Sequence, residues 1–228
     1  AEGSISTTIK IQAISGFTAT PDVSEDNTAY ISVYGGSASS SNLTGEIVFA
    51  KDGAVKYRDA SKSQQIIDGL TYSDDTDIDV VLEWTATGYS VSIDGGTTFY
   101  GPYVAINTGT PTETYQIRIG SSSKESAKEL LADDIVIADE TDSAVLSEDF
   151  ETYAEDEDLS TMYSSSAEAT VKTLAGSSVD NVARMADTSL TADAELRLTT
   201  AALAEGSIST TIKIQAISGF TATPDVSE

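Results

Sequence analysis

The chain has 228 residues, and its 37 acidic and 12 basic residues give a formal net charge of −25. This charge makes nucleic acid and anionic membranes poor partners and cations good ones. The sequence has no cysteine, no histidine and no apolar run near the ~20 residues of a membrane span. These absences argue against disulfides, zinc thiolates, a histidine base and membrane insertion.

The first predicted element is a strand that the sequence contains twice. Residues 1–25, AEGSISTTIKIQAISGFTATPDVSE, are identical to residues 204–228, at an offset of 203 positions. Alternation places three isoleucines of each copy on one strand face, and we expect them to act in self-assembly. They are Ile5, Ile9 and Ile11 in the first copy, and Ile208, Ile212 and Ile214 in the second. Such a repeat indicates a unit of a tandem array, with deliberate engineering as the alternative.

Further strands are predicted along the chain by short segments of alternating apolar and polar residues, separated by turn residues. They are Ala29–Tyr34, Glu46–Ala50, Val55–Arg58, Ile78–Thr85, Tyr89–Ile93, Tyr115–Ile119, Ile135–Ala138, Ala144–Phe150, Ala169–Leu174, Val182–Met185 and Ala194–Leu198. Only Ser123–Leu131 has helical propensity, and it is either a short helix or a loop that runs into a strand. Many short strands at this spacing predict an all-β antiparallel sandwich or barrel.

Three segments resemble concanavalin A-like (laminin-G-like) jelly rolls. WTATGYSVSIDGG, residues 84–96, is similar to that family's tryptophan-bearing strand, glycine turn and DGG strand end. YQIRIGSSSKESAKELLADDIVI, residues 115–137, is similar to its final strands, and SEDFETYAEDEDLS, residues 147–160, to its opening strand. The resemblance implies a jelly-roll sandwich. Together with the tandem repeat, it implies a unit of a large bacterial extracellular surface or adhesin protein.

The order of these segments is permuted relative to that family. There the Asp-Phe-Glu strand comes first and the Asp-Asp-Ile strand last, whereas here residues 133–135 precede residues 148–151. We therefore expect the natural boundary near residue 143. Residues 1–142 would be the C-terminal portion of one repeat and residues 143–228 the N-terminal portion of the next. Together they would equal one sandwich plus one surplus strand.

Two acidic clusters are candidate calcium sites, because Ca²⁺ takes about six to eight oxygen ligands. Asp75 and Asp77 alternate along one face of a predicted strand in YSDDTDIDV. Related sandwiches hold a structural Ca²⁺ where the first and last strands meet, which implies Asp134 with Glu148 or Asp149 as ligands. A solvated acidic loop is the alternative for the first cluster.

Aromatic side chains suggest a second kind of site. Tyr100 and Tyr103, in TTFYGPYV, are candidate carbohydrate-binding residues, with ordinary turn packing as the alternative and Tyr57 with Arg58 as a weaker candidate. Trp84 lies in an apolar alternating strand and is predicted to be core. No Glu-x-Asp-x-Glu strand and no histidine occur in the sequence, so we expect no catalytic residues and no enzyme.

These patterns predict a structural or interaction repeat of an extracellular fibre, adhesin or cell-surface protein. It would be stabilised by Ca²⁺ and would assemble head-to-tail, with the front of one chain completing the back of the next. Its partners would then be copies of itself. The alternative is a carbohydrate-binding module with a glycan as its partner, an interpretation that rests on fold analogy.

Overall fold

A computed structural model describes residues 2–14, 17, 26–108, 110–121, 123–139, 141, 143–166, 168–174, 180–203 and 206–210, with the backbone alone for 2–6, 8 and 206–210. Within these residues the chain forms fifteen strands and one 3₁₀ turn, Leu159–Thr161. The strands are β1 Glu2–Ala13, β2 Ala29–Tyr34, β3 Leu43–Phe49, β4 Ala54–Arg58, β5 Gln64–Thr71, β6 Ile78–Thr85, β7 Gly88–Ser92, β8 Tyr100–Val104, β9 Thr112–Ile119, β10 Lys128–Asp139, β11 Ala144–Glu148, β12 Ala169–Thr173, β13 Asn181–Ala186, β14 Ala194–Leu203 and β15 Gly206–Thr210. Among the residues described, no helix is long and apolar enough to cross a membrane.

Two antiparallel sheets pack face to face as a sandwich. The first has the strand order β12-β13-β10-β1-β6-β7-β8, and β15 also pairs with β10 and β6. The second has the order β14-β9-β2-β3-β4-β5. The predicted all-β antiparallel sandwich is confirmed, while its jelly-roll connectivity and its permutation stay predictions.

The core lies between the two sheets and is made by the inward-facing residues of their central strands. Ile31 of β2 stands opposite Ile117 of β9 and Ile47 of β3, and all three side chains are buried. From the other sheet, β6 contributes Leu82 and Trp84 to the same cluster. The prediction that Trp84 is a core residue is therefore confirmed.

The segments before and after residue 143 build this sandwich together. A tight turn joins β10 to β11, in which the Ser143 carbonyl accepts a hydrogen bond from the Asp139 backbone N–H at 2.9 Å. Beyond that turn, β12 and β13 extend the first sheet beside β10, and β14 extends the second beside β9. Each portion thus supplies strands to each sheet.

The structure contains two strands that the sequence did not predict, and several strand ends differ by a few residues, most of all the start of β10. The strands β5 and β8 were not predicted, and both lie at the edge of a sheet. The segment with helical propensity takes the second of its two predicted forms, because β10 begins at Lys128. There the pairing of Leu130 with Ile11 of β1 outweighs the weak local preference for helix.

Candidate functional site

A slot one strand wide lies in the middle of the first sheet, between β6 and β10. The strand β1 fills it and pairs antiparallel with both neighbours. Ile9, for example, stands opposite Ile78 of β6 and Ala132 of β10. The slot is therefore defined by two walls, β6 and β10, that lie far apart in the sequence.

Both copies of the duplicated strand take the same register in this slot. Ile5 of β1 and Ile208 of β15 each pair with Leu82 of β6. The same two isoleucines each pair with Ile137 of β10. Because Ile208 is the copy of Ile5 at the offset of 203 positions, the walls recognise the same sequence in the same alignment.

The two copies exclude each other from the slot. Leu82 pairs with Val91 of β7 on the opposite edge of β6. Only one edge of β6 remains, and both β1 and β15 pair with that edge. Each residue offers a single backbone N–H and C=O, and neighbouring strands lie about 4.8 Å apart. The slot can hold one copy at a time, and the other copy is then surplus.

The inner face of the slot strand supplies part of the core. Ile9 and Ile11 are 0% and 1% exposed and belong to the main hydrophobic cluster. Burying each isoleucine stabilises the fold by about 1.5–3 kcal/mol. Of the other predicted self-assembly residues, Ile5 and Ile208 lie at paired backbone positions, and Ile212 and Ile214 lie outside the described residues.

The outer face of the slot strand is held by a buried ionic network. The Gln12 amide nitrogen donates a hydrogen bond to the Glu129 carboxylate of β10 at 2.5 Å. That carboxylate, 1% exposed, also pairs with Lys172 and Arg184 at 2.6 Å each. Burial opposes ionisation of Glu129, but the two cations outweigh it and lower the pKa of this carboxyl below its usual value. The network favours one register of the strand, because a shift by one residue would remove Gln12 from Glu129.

Lys10 lies on the same outer face, next to the first predicted calcium cluster. Burial lowers the pKa of its amine to about 8, although the charges of Asp75 and Asp77 act in the opposite direction. Asp75 also donates its backbone N–H to the Ile11 carbonyl at 3.1 Å. The prediction that Asp75 and Asp77 share a strand face is wrong, because both precede β6, which begins at Ile78.

A β-bulge in the β10 wall carries the second acidic cluster. The register between β1 and β10 shifts between Ser6 and Thr8, opposite Asp134, whose φ is +46°. The neighbouring Asp133 is 6% exposed and accepts a hydrogen bond from the Asp134 backbone N–H at 2.8 Å. Burial raises the pKa of Asp133 to about 8, and the carboxylates of Asp134, Asp180 and Glu151 add to this shift.

The structure brings some of the predicted seam residues together. Burial raises the pKa of Asp134, and the nearby charges of Asp149 and Asp180 raise it further. Glu148 is engaged elsewhere, because its carboxylate accepts hydrogen bonds from the Tyr153 and Tyr163 hydroxyls. Within the described part of the chain, no group of three or more acidic side chains has the arrangement to hold a metal ion.

Sequence reasoning missed one acidic residue that faces this cluster, Asp180. Asp133 and Glu151 belong to the Asp-Asp-Ile and Asp-Phe-Glu motifs, which the sequence already placed at this seam. No sequence signal connected β10 with Asp180, because that contact exists only through the pairing of β10 with β13.

A cluster of tyrosines lies at the opposite edge of the sandwich, where β8 of the first sheet meets β4 of the second. Tyr57 and Tyr103 stack with ring centroids 3.7 Å apart and an interplanar angle of 10°. Tyr89 lies behind Tyr103 at 5.6 Å, and its hydroxyl donates to the Arg58 carbonyl at 2.6 Å. Tyr100 is half-buried beside the same core. The tyrosines predicted as two alternative sites thus belong to one cluster.

Two clefts flank this tyrosine cluster, with volumes of about 450 Å³ and 400 Å³. Both are lined by Pro102, Tyr103 and Val104, and Val104 is 61% exposed. The larger cleft adds hydroxyl and carboxyl groups from β6 and β7, and the smaller adds Tyr57 and Asp59. Aromatic rings next to hydroxyl-lined space are suited to a small polar ligand.

Comparison of the chain with protein-family models, with curated proteins and with solved structures finds no match. The class of this protein is therefore described from its fold and its slot alone. It is an antiparallel β-sandwich in which two identical segments take one register in one internal slot.

Proposed function

We propose that this chain is a structural or interaction repeat of an extracellular fibre, adhesin or cell-surface protein, built of β-sandwich units in tandem. The observation that carries the proposal is the shared register of β1 and β15 on the walls of the slot. Identical segments would take the same register whatever the origin of the duplication. What favours a repeat unit is that the two copies mark a period of 203 residues and that a single copy is enough to complete one sandwich.

The connections on either side of the slot fit such a period. β14 ends at Leu203 and β15 begins at Gly206, so the second copy enters the slot directly from the other sheet. β1 ends at Ala13 and β2 begins at Ala29, so the first copy leaves the slot for the other sheet. In an array, one copy would make both connections within a unit, a short one from β14 and a longer one of fifteen residues, 14–28, to β2.

A chain with a second period tests this proposal. Residues 1–203 fused to the N-terminus of the full chain should fold as two sandwiches joined near residue 143. We expect twice the calorimetric unfolding enthalpy of the 228-residue chain and a longer maximum dimension in small-angle X-ray scattering. An unfolding enthalpy equal to that of the single chain would contradict the proposal.

Head-to-tail assembly by strand complementation is the mode of association that we propose. The surplus copy of one chain would enter the slot of the next, and because the contact is heterologous it need not close. A copy in the same chain acts at an effective concentration on the order of millimolar. We therefore expect light scattering to show monomers in dilute solution and larger species only as the concentration rises towards that range.

Calcium stabilisation is part of the same proposal. The supporting feature is the proximity of Asp134 and Asp149 beside the buried Asp133, where a cation would relieve repulsion between carboxylates. Calorimetry with Ca²⁺ and with a chelator tests it. If the melting temperature is the same with Ca²⁺ and with the chelator, calcium does not stabilise the fold and this part of the proposal is wrong.

The second candidate function is carbohydrate binding, and the tyrosine cluster favours it. The stacked Tyr57 and Tyr103 border a cleft that could place sugar C–H groups near an aromatic ring. The chain's net charge of −25 favours neutral over acidic saccharides. On a glycan array, Tyr103→Ala should remove binding, and the distant Tyr163→Phe should leave it unchanged. Binding that survives Tyr103→Ala would place the ligand elsewhere.

A further inference from the structure

We propose that the slot between β6 and β10 accepts the duplicated strand from a second copy of this chain. This inference rests on the proposed function and adds to it the identity of the donor, the residues that recognise it and the conditions for exchange. The donor is whichever copy does not occupy its own slot, residues 1–13 or residues 204–216. The acceptor is a chain in which neither of its own two copies fits the slot.

The first step is that the two copies are equivalent donors. Their sequences are identical over 25 residues, and the described part of each takes the same partners on both walls. Every contact that one copy makes with the walls is therefore open to the other. The two closed forms of the chain differ only in the connections to β14 and to β2.

The second step is that the slot recognises this strand by both of its faces. The inner face needs isoleucines at the positions of Ile9 and Ile11, which are buried in the core. The outer face needs an amide at the position of Gln12 to donate to Glu129. A strand of another sequence would leave a cavity in the core or leave the outer network one hydrogen bond short. The occupant is accordingly a copy of this segment.

The third step is that the surplus copy can reach a neighbouring molecule. When the second copy fills the slot, residues 14–25 connect residues 1–13 to the sandwich, because Asp26 and Asn27 are hydrogen-bonded to Glu125 and Ala127. Extended chain spans about 3.3 Å per residue, so this tether is long enough to leave its own sandwich. When β1 fills the slot, the second copy is connected to this sandwich through the end of β14 at Leu203.

Copy number explains why the unaltered chain should rarely exchange strands between molecules. Each chain brings two copies for its slot, so a transfer between chains fills no slot that was empty before. Closure within the chain wins in dilute solution because it does not bring two molecules together. Repulsion between chains of net charge −25 slows the encounter further at low salt.

Acceptor and donor chains with full-length sequences test the inference. The acceptor carries Ile9→Asp together with Ile212→Asp, so neither of its own copies fits the apolar side of the slot. The donor is the unaltered chain, which has one surplus copy. The matched control donor carries Ile212→Asp alone, because its one intact copy is needed in its own slot.

Size-exclusion chromatography with light scattering should show a one-to-one complex of the acceptor with the unaltered donor and none with the control donor. Added salt should speed its formation. An acceptor that binds a peptide of residues 1–13 but not the unaltered chain would overturn exchange between chains. Equal complex formation with both donors would overturn the role of the surplus copy.

A second measurement keeps the inference testable if the acceptor is unfolded on its own. Circular dichroism should then show it gaining strand structure on addition of the peptide, and an Ile9→Asp peptide should have no effect. The urea midpoint of the single variant Ile9→Asp should stay close to that of the unaltered chain, because the second copy replaces β1. A single variant as unstable as the double variant would show that the copies are not interchangeable. The two-period experiment does not depend on that outcome, so the two proposals can fail separately.

Discussion

The slot strand β1 and the strand β2 of the opposite sheet each contribute a fully buried isoleucine to the core, but they differ in copy number. Ile9 of β1 and Ile31 of β2 are each 0% exposed, and both belong to the core. Each strand lies between two paired neighbours. The segment of β1 occurs twice in the sequence, whereas that of β2 occurs once. Burial alone therefore does not determine how a substitution acts, because a second identical strand can take the place of the first.

The largest expected difference separates Ile31→Ala from Ile9→Ala. Ile31→Ala should lower the free energy of unfolding by about 2–5 kcal/mol, as expected for a buried isoleucine. Ile9→Ala should cost less than about 1 kcal/mol, because the second copy still supplies an isoleucine to the slot. Urea denaturation of the two variants measures the contrast. Equal losses would mean that the second copy cannot fill the slot.

The walls of the slot are present once, so substitutions in them should not be compensated. Asp133, on the β10 wall, has a folded-state pKa raised to about 8, well above the usual 3.8. The fold favours the neutral form of this carboxyl. Its contribution to the free energy of unfolding is therefore fully present below pH 3.8 and is lost as the pH rises towards 8. Asp133→Asn should therefore stabilise the protein by about 2 kcal/mol at pH 8 and flatten the loss of stability between pH 4 and pH 8.

Urea midpoints of the unaltered chain and of Asp133→Asn at pH 4, 6 and 8 measure this effect. Asp133→Glu serves as the control, because it keeps the titrating carboxyl. Added Ca²⁺ should flatten the profile of the unaltered chain if a cation binds beside Asp134. A profile that Asp133→Asn leaves unchanged would assign the pH dependence to another group, such as Asp187, whose pKa burial raises to about 7.

A smaller effect is expected from Glu129, on the outer face of the same wall. Its pKa lies below the usual 4.5, so its ion pairs add stability above that value and lose it as the pH falls further. Glu129→Gln should cost about 1–2 kcal/mol at pH 7, since Lys172 and Arg184 are partly exposed and can be hydrated. At pH 3 the difference should shrink. A cost that is independent of pH would indicate lost packing in place of lost ion pairs.

The sequence pattern was sufficient for strands with one buried face or with both faces buried. The predicted bounds of β2 and β6 agree with the structure to the residue. The missed strand β5 is mostly exposed, with Ile67 and Leu70 as its buried positions, so its residues do not alternate. The missed strand β8 contains Gly101 and Pro102, which signal a turn and are tolerated in a strand at a sheet edge.

The candidate sites could be predicted only where a sequence motif marks them. The proximity of Asp134 to Asp149 was expected, because the Asp-Asp-Ile and Asp-Phe-Glu motifs resemble strands that meet at the seam of related sandwiches. The hydrogen bond from Gln12 to Glu129 joins residues 117 positions apart, and no pattern in either segment indicates it. The same is true of the stacking of Tyr57 on Tyr103, which depends on the edge strand β8 of one sheet meeting β4 of the other.

The sequence by itself determined the strands, the acidic character and the duplication, because alternation, charge and identity are properties of the residues in order. The tertiary structure alone decided that both copies belong to one slot. That result depends on β6 and β10, which are separated along the chain and lie one strand apart only after folding. Because β7 occupies one edge of β6, only one edge is left for the duplicated segment, and its two copies cannot both pair there at the same time.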